Sequence, residues 1–174
     1  MNLKSKIREI PDWPIKGVNF KDITTLLQDG KVFRYVIDEM VRPFGQIKID
    51  KVVAIDARGF LLAAPIAYKF GCGVCLVRKA GKLPSKTIKK TYQKEYGPDT
   101  LAIHTDTIKP GERVLMVDDL IATGGSMETA IHLVEKLKGH IIGISVIIDL
   151  PYLKGSLRLK NYPLYYLVSY ENEK

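Results

Sequence analysis

VLMVDDLIATGGSM, residues 114–127, predicts the fold more directly than any other stretch of this chain. Val114–Val117 is an apolar run without polar alternation, which is typical of a strand buried on both faces of a parallel sheet. Ser126 is a good N-cap, and apolar residues follow it at helical spacing: Met127, Ala130, Ile131, Val134 and Leu137. The stretch therefore predicts a strand, a short loop and a helix of a parallel α/β sheet.

The chemistry of the same stretch indicates a site for a phosphorylated sugar. Asp118 and Asp119 follow the apolar run, at the end of a strand where open α/β sheets hold ligands. Residues 122–126 carry little side-chain bulk, so their backbone N–H groups can approach an anion at the start of a helix. Acids for sugar hydroxyls beside amides for a phosphate predict a ribose 5-phosphate site. The two glycines alone would fit an ordinary tight turn equally well.

Other glycine and cysteine motifs do not compete with this site. The chain contains no G-x-x-x-x-G-K-[ST] sequence, and Gly71-Cys72-Gly73 lacks the third glycine of a dinucleotide fingerprint. Cys72 and Cys75 form a C-x-x-C pair without a second pair of metal ligands at suitable spacing. We expect both cysteines to be core residues.

Composition fits one compact domain, residues 1–174, with a hydrophobic share of 46%. The net charge of +8 permits a polyanionic partner, including nucleic acid, without requiring one. The apolar runs are too short to span a bilayer, and the first residues lack a signal-peptide core. We therefore expect a cytoplasmic protein with no membrane partner.

Apolar periodicity divides the rest of the chain into alternating strands and helices. Strands are predicted at Val52–Ile55, Cys75–Val77, Ile141–Ile148 and Tyr165–Val168. Helices are predicted at Leu3–Ile10, along a stripe from Val32 to Val41 that stops before Pro43, and at Leu61–Phe70. The segment Pro84–Pro98 is polar and lacks core periodicity, which leaves a hairpin or a mobile loop as alternatives.

Basic residues follow two further strands at the same predicted edge of the sheet. Arg58 comes after the first strand, and its planar guanidinium suits phosphate oxygens. Lys79 comes after the next strand, whereas Lys89 and Lys90 are expected on the solvated surface. Cations, amides and acids are thus predicted to meet at one site.

Four more motifs accompany this array in order: GVNFKDI at 17–23, DARGF at 56–60, RKAGKLP at 78–84 and YQKEYG at 92–97. Together with residues 114–127 they resemble the adenine phosphoribosyltransferases, which use phosphoribosyl pyrophosphate (PRPP), from about Ile10 to Tyr170. The resemblance implies a parallel sheet flanked by helices. It also implies an N-terminal hood at about 1–45 and a flexible catalytic loop at about 84–100.

The resemblance also implies roles for residues at the PRPP side of the site. The 5′-phosphate would bind to Ala122, Thr123, Gly124, Gly125 and Ser126. Asp118 and Asp119 would engage the ribose hydroxyls, directly or through water and Mg²⁺, and Arg58 and Lys79 would bind pyrophosphate. Mg²⁺ would be held mainly by PRPP, with no certain direct protein ligand.

On the adenine side, the resemblance implies that Phe20 stacks on the base opposite Leu120. Main-chain atoms near Val18 and Asn19 would recognise the base edge. Glu95 would be the catalytic acid or base, and Tyr96 would close over the site with it. Both of these residues lie in the predicted flexible loop.

The expected reaction joins adenine N9 to the phosphoribosyl group of PRPP and releases AMP and pyrophosphate. Arg58, Asp118 and Asp119 would take part in catalysis with Glu95, because the cationic transition state needs negative charge nearby and the leaving group needs positive charge. Ala122 stands where hypoxanthine–guanine enzymes have an aspartate, which disfavours a 6-oxopurine.

The sequence leaves three questions open: the base that is used, a role in regulating nucleic acid, and the oligomeric state. Asn19 stands where the family usually has an aliphatic residue, which leaves another base, such as xanthine, as an alternative substrate. A PRPP-binding regulator of nucleic acid is a second alternative, although no nucleic-acid module is evident. A homodimer is expected; the apolar helix around Leu61–Ala67 would serve as its surface or, equally well, pack within a monomer.

Overall fold

The computed structural model describes residues 1–94 and 97–173. Within these residues the main sheet has seven strands in the order β5-β6-β4-β3-β7-β8-β9, and β1 and β2 form a separate small sheet. The strands are β1 Arg8–Ile10, β2 Phe20–Asp22, β3 Lys51–Ile55, β4 Gly73–Lys79, β5 Thr87–Lys94, β6 Gly97–His104, β7 Arg113–Ile121, β8 His140–Asp149 and β9 Leu164–Ser169.

Helices flank the main sheet and connect its strands. They are α1 Thr24–Gln28, α2 Gly30–Val41, α3 Arg58–Phe70, α4 Gly125–Lys136 and α5 Gly155–Arg158, with short 3₁₀ helices at Lys4–Lys6, Arg42–Phe44 and Pro151–Leu153. In the described part of the chain, no helix combines the length and apolar character that crossing a membrane requires.

The centre of the main sheet is parallel. β3 pairs in parallel with β4 and β7, and β7 and β9 each pair in parallel with β8. β6 pairs antiparallel with β4 and β5, so one side of the sheet ends in an antiparallel pair. The segment predicted as a hairpin or a mobile loop therefore contains β5 and the beginning of β6.

Both faces of the central strands are buried, as the apolar runs predict. Val114–Val117 are fully inaccessible to solvent. Leu115 and Val117 pack into a core under α2 and α3, whereas Val114 and Met116 pack into a second core under α4. Because side chains alternate across a strand, an uninterrupted apolar run supplies both cores at once.

Helix boundaries follow local signals at some ends and not at others. Asp29 caps α2 by accepting hydrogen bonds from the backbone N–H groups of Lys31 and Val32. α3 ends at Phe70, and its C-cap Gly71 has a left-handed φ of 66°. The prediction of Ser126 as the N-cap of α4 is wrong, because α4 already begins at Gly125 and its N-cap is Gly124.

The predicted helix at Leu3–Ile10 is also wrong. Lys4–Lys6 forms a single 3₁₀ turn, and the chain then enters β1, which pairs antiparallel with β2. Arg8 donates to Asp22 at 2.6 Å across this pair. A partner distant in sequence thus overrides the local apolar spacing.

Candidate active site

A cavity of about 340 Å³ lies at the carboxyl edge of the parallel strands. This volume is within the range of small-molecule sites, roughly 300–1,000 Å³. Its described lining comes from the ends of β3, β4 and β7, the starts of α3 and α4, and the β5–β6 pair: Ile55, Asp56, Ala57, Arg58, Lys79, Tyr92, Lys94, Asp99, Leu101, Asp118, Asp119, Leu120, Ile121, Ala122, Thr123, Gly124, Ser126 and Met127.

The loop between β7 and α4 forms the floor of this cavity with almost no side-chain bulk. Gly124 has φ +78°, a conformation that L side chains rarely adopt. Gly125 opens the 12-residue helix α4. A Cβ on Gly125 would lie 3.3 Å from the Tyr92 ring, so the loop also packs closely against β5. The arrangement suits an anion at a helix N-terminus.

Asp118 and Asp119 lie at the carboxyl end of β7, as the sequence predicted, although the strand itself continues past them to Ile121. The backbone N–H of Asp119 donates to Asp118 Oδ1 at 2.9 Å. A Cβ on Gly59 would be 2.9 Å from the same oxygen, so α3 starts very close to this carboxylate. Burial raises the pKa of Asp118 well above its usual value, and the negative charge of Asp119 raises it further.

Arg58 connects the edge of the sheet with the N-terminal hood. Its Nε donates to Asp119 Oδ2, and its guanidinium carbon lies 5.2 Å from the centroid of the Phe20 ring. Asp119 is only 5% exposed, so the paired guanidinium compensates a buried carboxylate. The sequence predicted a phosphate contact for Arg58 and missed both of these contacts.

The hood places its aromatic residue near the cavity without lining it. Phe20 packs edge-on against Trp13, with ring centroids 4.5 Å apart. Val18 belongs to the turn that precedes β2, where its carbonyl accepts from the Trp13 N–H at 3.0 Å. Phe20, Val18 and Asn19 are not among the described residues that line the cavity. Arg58 does line it and contacts the Phe20 ring.

Asn19 is held by side-chain hydrogen bonds within the hood. Its Nδ2 donates to Glu9 Oε2 at 2.7 Å and to the Glu173 carbonyl at 3.1 Å. The side chain thus ties β1 and the C-terminal segment to the residue before Phe20. Leu120, the predicted partner of Phe20 across the base, does line the cavity.

Sequence reasoning assigned no role to Lys94, yet Lys94 lines the cavity opposite the β7 loop. Its Nζ lies 2.6 Å from Asp99 Oδ2, and Lys79 Nζ lies 3.6 Å from the same oxygen. The hydrogen bond from Lys94 lowers the pKa of Asp99. Two cations are thereby grouped around one carboxylate on the β5–β6 pair.

Tyr92 is a second lining residue. The sequence indicated an ordered contact for its side chain but no specific role. The spacing of Lys90, Tyr92 and Lys94 could have indicated that these side chains share one face of a strand, since residues two apart on a strand point to the same side. The predicted catalytic residues Glu95 and Tyr96 lie outside the described residues.

The donor set suits a metal brought in by a polyanionic substrate. The described lining has three cations, Arg58, Lys79 and Lys94, against four carboxylates: Asp56, Asp99, Asp118 and Asp119. No group of three or more His, Cys, Asp or Glu side chains with metal-binding geometry occurs in residues 1–94 and 97–173. Oxygen donors without a complete cage fit Mg²⁺ held largely by substrate phosphates.

Comparison with known proteins identifies the family. The model of the phosphoribosyl transferase domain matches residues 23–166. The adenine phosphoribosyltransferase of Nitrosomonas eutropha is 52% identical, and the alignment covers 99% of this chain and 100% of that protein. The chain belongs to the adenine phosphoribosyltransferase family. The resemblance drawn from the sequence motifs is therefore confirmed.

Solved structures of the family share this fold. The adenine phosphoribosyltransferase of Thermoanaerobacter pseudethanolicus is 45% identical with a TM-score of 0.93, covering 97% of this chain and 98% of that one. The Saccharomyces cerevisiae enzyme, solved with adenine and an imino-altritol bisphosphate, is 38% identical with a TM-score of 0.90, covering 95% and 96%. The predicted α/β class is confirmed, with the antiparallel β5–β6 pair as an addition to the parallel sheet.

Proposed function

We propose that this chain transfers the 5-phosphoribosyl group of PRPP to N9 of adenine, giving AMP and pyrophosphate, in the cavity at the carboxyl edge of the sheet. The observation that carries this proposal is the convergence of three features there: the loop 122–126 at the start of α4, the carboxylates of Asp118 and Asp119, and the cations of Arg58 and Lys79. Family membership supports the reaction, and the residues that line the cavity support its location there.

On the PRPP side, the backbone of residues 122–126 would hold the 5′-phosphate at the helix N-terminus. Asp118 and Asp119 would then lie beside the ribose, where they accept hydrogen bonds from its hydroxyls. As pyrophosphate departs, positive charge develops at C1, and the two carboxylates stabilise it electrostatically. Burial and the negative charge of Asp119 raise the pKa of Asp118, and positive charge that develops beside it would favour its ionised form.

Pyrophosphate would bind between Arg58, at the start of α3, and Lys79, at the end of β4. Arg58 uses Nε for Asp119, and a guanidinium has five N–H donors in all. The remaining donors would bind a phosphate oxygen while the contact with Asp119 persists. Mg²⁺ supplies further charge neutralisation when PRPP brings it, and Asp118 or Asp119 would reach it through water.

On the adenine side, Phe20 would stack on the base with Leu120 opposite, and main-chain atoms near Val18 and Asn19 would recognise its edge. Glu95 would exchange a proton with the base, and Tyr96 would help close the site. These roles rest on the family resemblance of the matching motifs. The methyl side chain of Ala122 has no ionisable group, which favours adenine over a 6-oxopurine.

A homodimer would cover an apolar surface on the outside of α3 and β4. Within the predicted surface at Leu61–Ala67, the core contains Leu62, Ala63, Ile66 and Ala67, so this part of the helix serves the monomer. The exposed apolar residues are Leu61 and Tyr68 of α3, at 54% and 88%, and Val74 and Leu76 of β4, at 38% each. Val74 and Leu76 lie on the sheet face that carries α3, because they pair with Val52 and Ala54, which pack in the core under that helix. Sedimentation should give a species of twice 19.6 kDa, and Tyr68→Glu should shift it toward the monomer.

We place the activity in the cytoplasm, with no nucleic acid or membrane as a partner. Incubation with PRPP, Mg²⁺ and one base at a time, with pyrophosphate release as the readout, tests the substrate. Adenine should support release, whereas hypoxanthine, guanine and xanthine should support little. A reaction without any base measures PRPP hydrolysis. A preference for xanthine would contradict the proposed substrate and would point to Asn19.

A further inference from the structure

The segment after β8 packs directly against the loop 122–126. The backbone N–H of Leu150 donates to the Ile121 carbonyl at 3.0 Å, and Ile121 pairs in register with Asp149. The chain then makes the 3₁₀ turn Pro151–Leu153 and enters the short helix α5 at Gly155. Gly155 is thereby placed beside the start of the loop.

The approach of Gly155 to the loop leaves no space for a side chain. A Cβ at this position would lie 2.7 Å from the Gly124 backbone nitrogen and 2.8 Å from Ile121 Cγ2. It would overlap the Ala122 carbonyl oxygen more closely still. Gly155 does not have a positive φ, so this requirement for glycine comes from space and not from backbone conformation.

Gly124 likewise has no space for a side chain, because Gly155 lies against it. A Cβ on Gly124 would lie 2.8 Å from the Gly155 carbonyl oxygen and 3.1 Å from its Cα. The two backbones therefore touch directly, and neither can shift toward the other without a clash. A displacement of Gly155 would be passed to the loop.

The segment around Gly155 is itself anchored on both sides. Before Gly155, Tyr152 and Leu153 pack against the core under α2 and α3. After it, Leu159 is 1% exposed and packs in the core with Ile121 and Met127. The loop thus rests on a fixed support.

We propose that Gly155 is a positioning residue for the 5′-phosphate of PRPP, acting through the backbone of Ala122 and Gly124. The inference rests on the proposed function, in which the loop 122–126 binds that phosphate. Gly155 touches neither substrate nor metal in this role. It sets the position of the N–H groups that do the binding.

The test compares two ligands in one variant. Gly155→Ala should weaken ribose 5-phosphate, measured by calorimetry, by roughly tenfold to a hundredfold, because a displacement of about 1 Å has effects of that size. Inorganic pyrophosphate should bind unchanged, since its proposed contacts are Arg58 and Lys79. Gly30→Ala is the matched control, because a Cβ there meets nothing within 4 Å. Equal losses for both ligands, or no loss for either, would overturn the proposal.

An NMR titration of the wild-type protein tests the same inference if Gly155→Ala does not fold. Titration with ribose 5-phosphate should shift the NMR resonances of Gly155 together with those of Ala122 and Gly124, and leave those of Gly30 in place. Loop resonances that shift while Gly155 stays fixed would overturn the inference alone. Loop resonances that do not respond to ribose 5-phosphate would overturn the proposed site and the inference with it.

Discussion

The proposed site has two walls that are built in opposite ways: the β7–α4 loop, which lines the cavity and is called the phosphate wall below, and the hood, which lies beside the cavity. The β7–α4 loop depends on the absence of side chains, since Gly124 and Gly155 meet backbone to backbone behind it. The hood depends on polar side chains: Lys21 Nζ lies 2.6 Å from Glu9 Oε2, and Asn19 donates to the same oxygen.

This difference predicts which kind of substitution should disrupt each wall. Adding atoms to the loop displaces the N–H groups that would bind a phosphate, whereas removing atoms from the hood releases the residues around Phe20. The loop should therefore control the affinity for PRPP, and the hood should control the affinity for adenine. Kinetics with both substrates varied can separate the two effects.

The largest effect is expected for Gly124→Val. The side chain would meet the Gly155 carbonyl and would also force a β-branched residue into a φ of +78°. We expect PRPP binding to be lost in calorimetry, with the fold retained by circular dichroism. Gly111→Val is the control, because Gly111 has a φ of +83° but open space around it. Wild-type PRPP affinity in Gly124→Val would remove the loop from the proposed site.

The phosphate wall could be predicted from the sequence because its signals are local. The apolar run Val114–Val117, the two acids and the glycines lie within a few residues of one another, and the buried strand fixes where they point. The strand, the loop and the helix are confirmed, but their boundaries differ from the prediction, since β7 runs to Ile121 and α4 starts at Gly125. Nothing local indicated that Gly155 supports this loop.

The hood could not be predicted in the same way because its contacts join distant parts of the chain. Arg8 pairs with Asp22 across two strands, and Asn19 reaches the carbonyl of Glu173, which is 154 residues away. Apolar spacing around Ile7 imitated a helix, and such pairings are invisible to a local pattern. Lys94 was missed for a similar reason, because a polar strand gives no apolar periodicity.

Arg58→Ala is expected to have the second-largest effect, because Arg58 contacts both walls. It removes a proposed pyrophosphate contact and leaves the buried Asp119 without its cation. We expect kcat/KM for PRPP to fall roughly tenfold to a hundredfold, equivalent to about 1.4–2.7 kcal/mol. The KM for PRPP should rise and turnover should fall.

Arg42→Ala is the matched control for Arg58→Ala, since the Arg42 side chain is 72% exposed and pairs only with Glu39 among the ion pairs of the described residues. It should leave both kinetic constants unchanged. If Arg58→Ala lowered kcat/KM for adenine and left that for PRPP unchanged, Arg58 would be assigned to the hood alone, through its contact with the Phe20 ring.

Phe20→Leu should produce a smaller change that is confined to the base. Losing the aromatic face while keeping an apolar side chain should raise the KM for adenine roughly threefold to tenfold, as expected for one aromatic stacking contact. The KM for PRPP should stay within the error of wild type. Phe33→Leu on α2 provides a control for the general loss of an aromatic ring. An equal rise for both substrates would contradict the separation of the walls.

The smallest effect is expected for Glu9→Gln, which tests whether polar contacts hold the hood. Lys21 is only 1% exposed in its side chain, and its ammonium group also lies 4.3 Å from the centroid of the Tyr170 ring. Loss of the carboxylate leaves that buried cation poorly compensated, which should lower stability at pH 7 by about 1–3 kcal/mol. Asp38→Asn, which breaks an exposed pair with Lys69, should cost less than about 1 kcal/mol.

The loss of stability in Glu9→Gln should depend on pH. Hydrogen bonds from Lys21 and Asn19 lower the pKa of Glu9 in the folded chain, so the ionised carboxylate stabilises the fold above the ordinary pKa of glutamate. That stabilisation is lost as the pH falls through the lowered value. The Tm of Glu9→Gln should therefore be below that of the wild type at pH 7, and the gap should close in acid. A gap that is constant down to pH 3 would show that Glu9 acts by packing and not by charge, and the hood would then resemble the phosphate wall.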